Sequence, residues 1–280
     1  FSDVDLNYNA NNVSLLASHL LKSPRSMALR VATNTDDGDL LLITNDTDGS
    51  MAVFSILRSQ NVVAPSEFIT TGKFLDVAVD ITDIYVATER TINSSTKRYI
   101  ELFDDQRTTD ANIQYFSGAT SPDQSLPGNT TCSNLSHLEG ATVDVVRDNF
   151  VLTDKTVSSG AITIDEAPSS FVEVGLSYSV EVKTLPAEPK LSSGVVVSRK
   201  KRILEASPVL DRTQNIAING FEIPLETLPQ TLGSAPNTFS GRKRVAPLLG
   251  YSDTAQLTFT QTQPLFATVL SVEYKLSTGT

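Results

Sequence analysis

The stretch MALRVATNTDDGDLLLITNDTDGSMAVFSILR at 27–58 holds three short apolar runs separated by two acidic, turn-forming segments. The runs MALRVAT (27–33), DLLLIT (39–44) and SMAVFSILR (50–58) have the length and composition of β-strands. An Asp-Gly pair lies in each connection and supplies the positive φ angle that a tight hairpin needs. The stretch therefore predicts a meander of antiparallel strands.

The same pattern continues downstream in FLDVAVD (74–80), IYVATER (84–90) and RYIELF (98–103). Two sets of short strands with tight connections are typical of successive antiparallel sheets, as in propeller blades or a sandwich. A βαβ fold does not suit the chain, because the crossover helices are missing. We predict an all-β, mainly antiparallel fold, with propeller-like blades followed by a platform resembling a sandwich or barrel.

One segment alone has helical periodicity. From Val13 to Leu21 the apolar residues recur at spacings of three and four. Asn12 precedes the segment as a plausible N-cap, and Pro24 follows its end. The sequence therefore predicts one short N-terminal helix.

The polar, turn-rich stretch GATSPDQSLPGNTTCSNLS at 118–136 separates two strand-rich regions. We predict a propeller-blade-like domain over 1–118, a linker over 119–136 and a β-rich, platform-like domain over 137–280. Alternating apolar residues in FVEVGLSYSVEVKTL (171–185) predict a single half-buried strand. The proline- and glycine-containing region 211–250 is predicted to be a loop excursion. Further strands are predicted at 141–146, 161–165, 194–210, 255–261 and 266–276.

Composition excludes several classes of function. The 280 residues carry a net charge of −10, which argues against a protein whose main task is to grip nucleic acid. A single cysteine, Cys132, excludes an intrachain disulfide and a thiolate zinc site. No apolar run is long enough for a membrane span, so we expect no membrane insertion by this chain.

The motifs of common enzyme sites are also missing from the sequence. It contains no nucleophile elbow, no phosphate-binding loop and no dinucleotide fingerprint, so we expect no catalysis and no cofactor. Neither histidine suggests a catalytic triad: His137 is expected to bond nearby backbone, and His19 to face solvent. The acidic turns at 36–39 and 46–49 resemble fragments of a calcium loop but lack its closing glutamate, which favours plain hairpin turns and no metal.

Two basic clusters stand out from the acidic background. They are Arg199, Lys200, Lys201 and Arg202, and Arg242, Lys243 and Arg244. Side chains alternate along a strand, so such a strand cannot bury all of its charges in its own core. One interpretation is a solvated edge strand that its charges protect from aggregation. The other is a contact with a second subunit or a surface that faces a passing polyanion.

An ordered series of short motifs resembles one known family. The motifs are DLNYNANNVSLLASHLL (5–21), ATERTI (87–92), RYIELFD (98–104), HLEG (137–140), VGLSYSVEVKTLP (174–186), SRKKRI (198–203) and GYSDTAQLTFTQTQPLFATVLSVEYKL (250–276). In order and spacing they are similar to the tail nozzle proteins, or tail tubular proteins B, of short-tailed bacteriophages. The chain lacks tryptophan and is shorter than the members of that family. It therefore resembles a distant member and part of a longer chain.

This resemblance implies structural work in the virion tail. Members of the family form a ring, usually of six subunits, below a tail adaptor protein, and the ring continues the channel through which the genome leaves. It implies as partners further copies of the chain, the adaptor, tail fibres and transiently the genomic DNA, with assembly in the host cytoplasm. The basic clusters then become candidates for the subunit or adaptor interface. An acidic lumen would let DNA slide without sticking.

Two alternatives remain open at the level of sequence. A receptor- or glycan-binding fibre or spike module predicts an exposed aromatic or acidic groove and a trimer. A β-propeller hydrolase predicts converging carboxylates with one raised pKa, for which Glu101, Asp104 and Asp105 are the candidates.

Overall fold

Antiparallel strands make up almost all of the regular structure in a computed structural model of the chain. It describes residues 12–34, 37–188, 190–191, 194–195, 200–225, 235–246 and 250–278. No helix in these ranges reaches seven residues, and the all-β prediction is confirmed. Within the same ranges, no helix is long and apolar enough to cross a membrane. The chain divides into two compact units, Phe1–Gln106 and Arg107–Thr280.

The first unit contains two antiparallel sheets, with strands in the orders β1-β2-β3-β4 and β5-β6-β7. Its strands are β1 (Pro24–Arg30), β2 (Asp39–Asn45), β3 (Met51–Leu57), β4 (Val62–Phe68), β5 (Lys73–Asp80), β6 (Asp83–Ile92) and β7 (Ser95–Phe103). Each strand pairs with its neighbours in the sequence. Both predicted groups of strands are therefore meanders. A 3₁₀ turn at Arg58–Gln60 precedes β4.

The central strands β2 and β3 are buried on both faces of their sheet. Leu42 and Val53 point into a cluster with Phe74 and Val86 of the second sheet. Ile43, Ala52 and Phe54 lie in a separate cluster on the opposite face, against Ala17, Leu20 and Leu21. Because successive side chains point to opposite faces, a continuous apolar run can fill two cores at once. This double burial explains why DLLLIT and MAVF show no polar alternation.

The connection between β2 and β3 has the predicted hairpin chemistry. Gly49 has a φ angle of 72°, and a Cβ atom built there would lie 2.5 Å from the Lys73 side chain. Asp48 Oδ1 accepts a hydrogen bond from the Ser50 backbone N–H at 3.0 Å. The Lys22 ammonium donates to Asp48 Oδ2 at 2.7 Å and holds the pKa of that carboxyl at about 2. The two carboxylate oxygens of Asp48 thus serve the turn and an ion pair.

The N-terminal helix is shorter than its periodicity predicts. Asn12 Oδ1 accepts a hydrogen bond from the Ser14 backbone N–H at 2.9 Å. Within the predicted segment, however, the helical residues are those of a 3₁₀ turn at Ser18–Leu20. Ala17 is buried, whereas Leu16 is 93% exposed. A segment this short is marginal as an isolated helix, so packing of Ala17 and Leu20 onto the first sheet determines its shape.

A buried ion pair joins β6 to β7. Arg90 is only 2% exposed, and its Nε and Nη2 atoms donate to the two carboxylate oxygens of Glu101 at 2.8 Å. Arg90 Nη1 donates to the Thr71 carbonyl oxygen at 3.0 Å. The bidentate geometry satisfies both oxygens of Glu101, one of the carboxylates expected in a hydrolase site. Here Glu101 serves the fold of the first unit.

The second unit begins at Arg107, before the predicted boundary at 118, because its first residues are tied into its sheet. Arg107 Nη2 forms an ion pair with Asp123 at 2.8 Å. Thr108 and Thr109 donate to Glu173, and β8 (Asp110–Phe116) pairs with β13 (Phe171–Leu176). The segment 107–118 is therefore part of the second unit.

A four-stranded sheet in the order β11-β10-β13-β8 forms the first part of the second unit. Besides β8 and β13, it contains β10 (Thr142–Arg147) and β11 (Phe150–Thr156); β9 (Thr131–Cys132) and β12 (Ile162–Thr163) form a small separate sheet. The segment predicted as a linker contributes β9 and the buried Cys132 and Leu135 to the adjoining core. Its polar residues form turns around apolar anchors. A 3₁₀ turn at Ser136–Leu138 ends the segment.

The remainder of the second unit has its own core and three further sheets. Their strands are β14 (Val180–Lys183), β15 (Lys190–Leu191), β16 (Gly194–Val195), β17 (Lys201–Thr213), β18 (Ala217–Ile218), β19 (Phe221–Glu222), β20 (Phe239–Arg242), β21 (Thr258–Gln261) and β22 (Val269–Thr278). The sheet orders are β14-β21-β18-β19, β15-β16 and β20-β17-β22. The expectation of a plain loop over 211–250 is wrong, because that region contributes β18, β19 and β20.

The prediction of a single strand over 171–185 is also wrong, because this segment forms two strands, β13 and β14, in two different sheets. Val172, Val174 and Leu176 of β13 are buried, as the alternation predicts. β14 pairs instead with β21, and its Val180 and Val182 are 44% and 57% exposed. A bulge beside Gly175 ends the regular pairing of β13 with β8. A Cβ atom at Gly175 would lie 2.7 Å from the Asp110 carbonyl oxygen, so only glycine permits this close approach.

We predict that Arg90→Met destabilises the protein by about 3–5 kcal/mol, because Glu101 would lose its partner inside the sheet. The measurement is urea denaturation followed by circular dichroism. Arg98→Met is the matched control, since Arg98 pairs with Glu89 across the same two strands but is 73% exposed. That control should change stability by less than about 1 kcal/mol. Equal effects of the two substitutions would contradict the assignment.

Candidate interaction surface

Both basic clusters of the sequence lie along the three-stranded sheet β20-β17-β22. Lys201 and Arg202 begin β17. Arg242 ends β20 and pairs in register with Val209, so the second cluster runs beside the middle of β17. Lys200 is exposed just before β17, and Arg199 lies outside the described residues. The long-range pairing of β17 with β20 thus brings together two clusters that are distant in the sequence.

The first cluster is divided by the alternation of β17. Lys201 falls in the same row as the buried Ile203 and is itself fully buried. Its backbone N–H donates to the Ser252 carbonyl oxygen at 2.8 Å, and its Nζ lies 3.8 Å from Glu188 Oε1. Arg202 points to the other side, with its guanidinium carbon 5.4 Å from the centre of the Tyr251 ring. Lys201 is therefore a structural cation, Arg202 is half-buried against Tyr251, and Lys200 is the exposed member of the cluster among the described residues.

The second cluster takes part in an ordered set of ion pairs on the outer face of the sheet. Arg242 Nη2 lies 2.9 Å from Glu273 Oε1. Arg244 and Lys275 approach the two oxygens of Glu205 from its two sides, with Lys275 Nζ 2.8 Å from Oε1. We call these five residues, Glu205, Arg242, Arg244, Glu273 and Lys275, the charged face. Its cations and carboxylates alternate across the strands.

Glu205 is the centre of this arrangement. Hydrogen bonds from Lys275 and Arg244 lower the pKa of its carboxyl below the ordinary value of 4.5. Lys243 points elsewhere, with its Nζ 5.0 Å from the centre of the Phe239 ring. Phosphate groups are bound most strongly by cations that have no competing carboxylate. The charged face presents ordered charges of both signs, an arrangement suited to recognition of another protein surface.

Apolar side chains are also exposed on β22, the strand that carries Glu273 and Lys275 of the charged face. On β22, Leu270 is 65% exposed and Tyr274 is 42% exposed. β22 pairs with β17 along one edge, and no described strand pairs with its other edge. An open edge of ten residues with exposed apolar side chains is a template for pairing with another chain. The sheet thus combines a charged face with an open edge.

A buried carboxylate in the second unit could not be identified from sequence motifs. Glu173 is 2% exposed, and its Oε1 accepts hydrogen bonds from the backbone N–H and the hydroxyl groups of both Thr108 and Thr109. Its Oε2 accepts from Gln114 Nε2 at 2.8 Å. The signal in the sequence is an acidic residue within the apolar alternation of β13. The network fixes the start of the unit to its sheet.

The residues considered for catalysis or metal binding serve structural contacts. His137 Nε2 donates to the Ala111 carbonyl oxygen at 2.9 Å, a backbone partner 26 residues away and not one of its sequence neighbours. His19 is exposed, as expected. Asp104 accepts a hydrogen bond from the Gln106 backbone N–H. No group of three or more potential metal ligands occurs among the residues that the structure places.

A different carboxylate has the raised pKa that a hydrolase would require. Burial and the nearby Asp154 carboxylate raise the pKa of Asp144, which lies at a bulge between β10 and β11. None of the residues predicted as hydrolytic carboxylates shares this bulge. The pair of Asp144 and Asp154 is a local feature of the first sheet in the second unit.

In comparisons with known proteins, neither a protein-family model nor a curated protein sequence matches the chain.

We predict that acid weakens the fold through Glu205. Its pKa is lowered on folding, so its ionised form stabilises the protein above pH 4.5, and this contribution is lost as the pH falls through the lower value of the folded state. Glu205→Gln should lower the melting temperature at pH 7 and reduce the difference from wild type at pH 3. The measurement is thermal unfolding by circular dichroism across this pH range.

The control for this experiment is Glu222→Gln, a substitution of an exposed glutamate on β19. It should leave the melting temperature within about 1 °C of wild type at every pH, since isolated surface charges contribute little to stability. A melting-temperature difference for Glu205→Gln that stays constant with pH would contradict the prediction.

Proposed function

We propose that this chain is a structural subunit of a phage tail nozzle, in which six copies form a ring that extends the DNA-ejection channel below the tail adaptor. The observation that carries the proposal is the charged face of β20-β17-β22, together with the exposed apolar side chains of β22. Proteins recognise each other through apolar side chains surrounded by ordered polar groups. The chain acts by assembly and not by catalysis.

The resemblance supplies the kind of assembly. Its motifs run through both compact units, and SRKKRI and the segment 250–276 include residues of the sheet that bears the charged face. In a closed ring each subunit uses two different surfaces, one toward each neighbour. The charged face is the proposed surface toward a neighbour or the adaptor, with Lys200 and Arg202 at its end. Tail fibres are proposed as a further partner, and the virion tail as the location.

The proposed lumen follows from the charge of the chain. A net charge of −10 per copy gives a six-membered ring a strongly acidic surface. DNA phosphates are repelled by such a surface, and this favours passage without binding. Retention on heparin or DNA columns at moderate salt would count against an acidic lumen.

The first test is electron microscopy of the full-length protein, alone and with tail complexes. Rings with six-fold symmetry at the tail tip are expected. Trimers attached to fibres would contradict the proposal and favour the receptor-binding alternative.

A charge-reversal variant tests the surface. Arg242→Glu with Arg244→Glu should abolish rings, because it places four carboxylates on the charged face, while circular dichroism should still show a folded chain. Lys97→Glu is the control, since Lys97 is an exposed residue of β7 in the other unit. Unimpaired rings from the double variant would exclude the charged face as the contact.

A further inference from the structure

The open edge of β22 is complementary to itself. We propose that, outside the ring, two copies of this chain pair through this edge in antiparallel orientation, with Tyr274 of one copy opposite Tyr274 of the other. The pairing joins two three-stranded sheets into one of six strands. It goes beyond the proposed function, because a two-fold contact cannot relate neighbours in a ring whose subunits all point the same way.

The backbone hydrogen bonds of β17 show which residues of β22 direct their N–H and carbonyl groups toward the open edge. Ala206, which lies opposite Tyr274, exchanges both of its backbone hydrogen bonds with Val245 on the β20 side. Lys201, opposite Thr278, likewise exchanges both of its backbone bonds with Ser252. Two residues directly opposite each other in an antiparallel pair either exchange backbone hydrogen bonds or both direct their backbone N–H and carbonyl groups away from each other. The backbone groups of Tyr274 therefore point to the open edge, and those of Thr278 do so as well.

The same reasoning applies to Val272, because the carbonyl oxygen of its opposite residue, Pro208, accepts from Lys243 on the β20 side. The residues with free backbone groups thus alternate along β22, with Tyr274 between Val272 and Leu276. A second β22 in antiparallel orientation, centred on Tyr274, brings Val272 of each copy opposite Leu276 of the other. The edge-facing N–H groups of Val272, Tyr274 and Leu276 then meet edge-facing carbonyl groups.

The charges of Glu273 and Lys275 favour the register centred on Tyr274 over registers shifted by one residue. With Tyr274 at the centre, Glu273 of each copy lies opposite Lys275 of the other, and opposite charges across strands are stabilising. Centring the pair one residue earlier places Glu273 against itself, and one residue later places Lys275 against itself. Both shifts bring like charges together.

The ion pairs of the charged face extend across the proposed contact. Lys275 already lies 2.8 Å from Glu205 on its own sheet, and Glu273 of the second copy approaches Lys275 from the open side. Carboxylates and cations therefore continue to alternate across the contact, from Glu205 through Lys275 of one copy to Glu273 of the other. On the opposite face, the two half-exposed Tyr274 rings cover each other.

Cross-linking tests both the contact and its register. In the proposed pair Ser271 lies opposite Ser277 of the second copy, with Cα atoms about 4.5 Å apart in a non-hydrogen-bonded pair. This separation lies in the range of a disulfide. Ser271→Cys and Ser277→Cys are conservative changes, and the natural Cys132 is fully buried.

The two single variants are each other's controls. In either one alone, the two new cysteines of a pair lie six residues apart along the strands, about 20 Å. A mixture of the two variants should form a disulfide-linked dimer under mild oxidation, and each variant alone should not. Self-linking of either single variant as fast as the mixture would overturn the register.

A backbone substitution tests the edge itself. Tyr274→Pro removes an N–H that β17 does not use, so it should abolish dimers in analytical ultracentrifugation while the chain stays folded. Tyr274→Thr keeps the N–H and should still dimerise. A wild-type protein that stays monomeric at every concentration up to the millimolar range would overturn the proposal, whatever the result for rings on tail complexes.

Discussion

Alternation of side chains along β17 is the constraint on which the functional surface depends. Ile203, Ala206 and Leu210 point into the core of their sheet, and alternation directs the residue before Ala206 to the other face. That residue is Glu205, and it is where Arg244 and Lys275 converge. The bulge between Ile203 and Glu205 shifts the register once and places Glu205 opposite Lys275 on the outer face.

The same alternation explains the burial of Lys201. A lysine in the row of Ile203 cannot reach the outer face without turning Ile203 out of the core as well. Its burial is therefore fixed by the apolar residues of β17, and Glu188 provides the nearby negative charge. Arg90 and Glu173 are buried in the same manner, but their hydrogen-bonding groups meet several partners. Polar residues at core positions thus join neighbouring segments, between the consecutive strands β6 and β7 for Arg90 and between residues 64 and 65 positions apart for Glu173.

The local elements of this fold could be predicted from sequence, and the long-range ones could not. The apolar runs and Asp-Gly turns around 27–58 define a meander through contacts between adjacent strands, and such contacts leave a clear pattern. The pairing of β17 with β20 and β22 depends on residues far apart in the chain, so no local pattern records it. The division of 171–185 between two sheets has the same origin, because alternation identifies a strand but not its neighbours.

The candidate surface shows a similar limit. Composition located the basic clusters but could not show that Arg242 and Arg244 lie across from acidic residues of β17 and β22, since this requires the register. The register shows that the second basic cluster belongs to a face with ordered charges of both signs. His137 bonds to backbone, but its partner Ala111 lies 26 residues away on β8, so this contact also depends on the fold.

Natural sheets protect an open edge with charges that point over it, with proline or with a bulge. β22 has charges, but Lys275 and Glu273 are held by Glu205 and Arg242 on the outer face, and its bulge lies at one end, near Leu270. The middle of the edge is therefore regular and unprotected. In the proposed assembly such an edge needs a cover, and the proposed second copy supplies one whose charges and hydrogen-bonding phase fit.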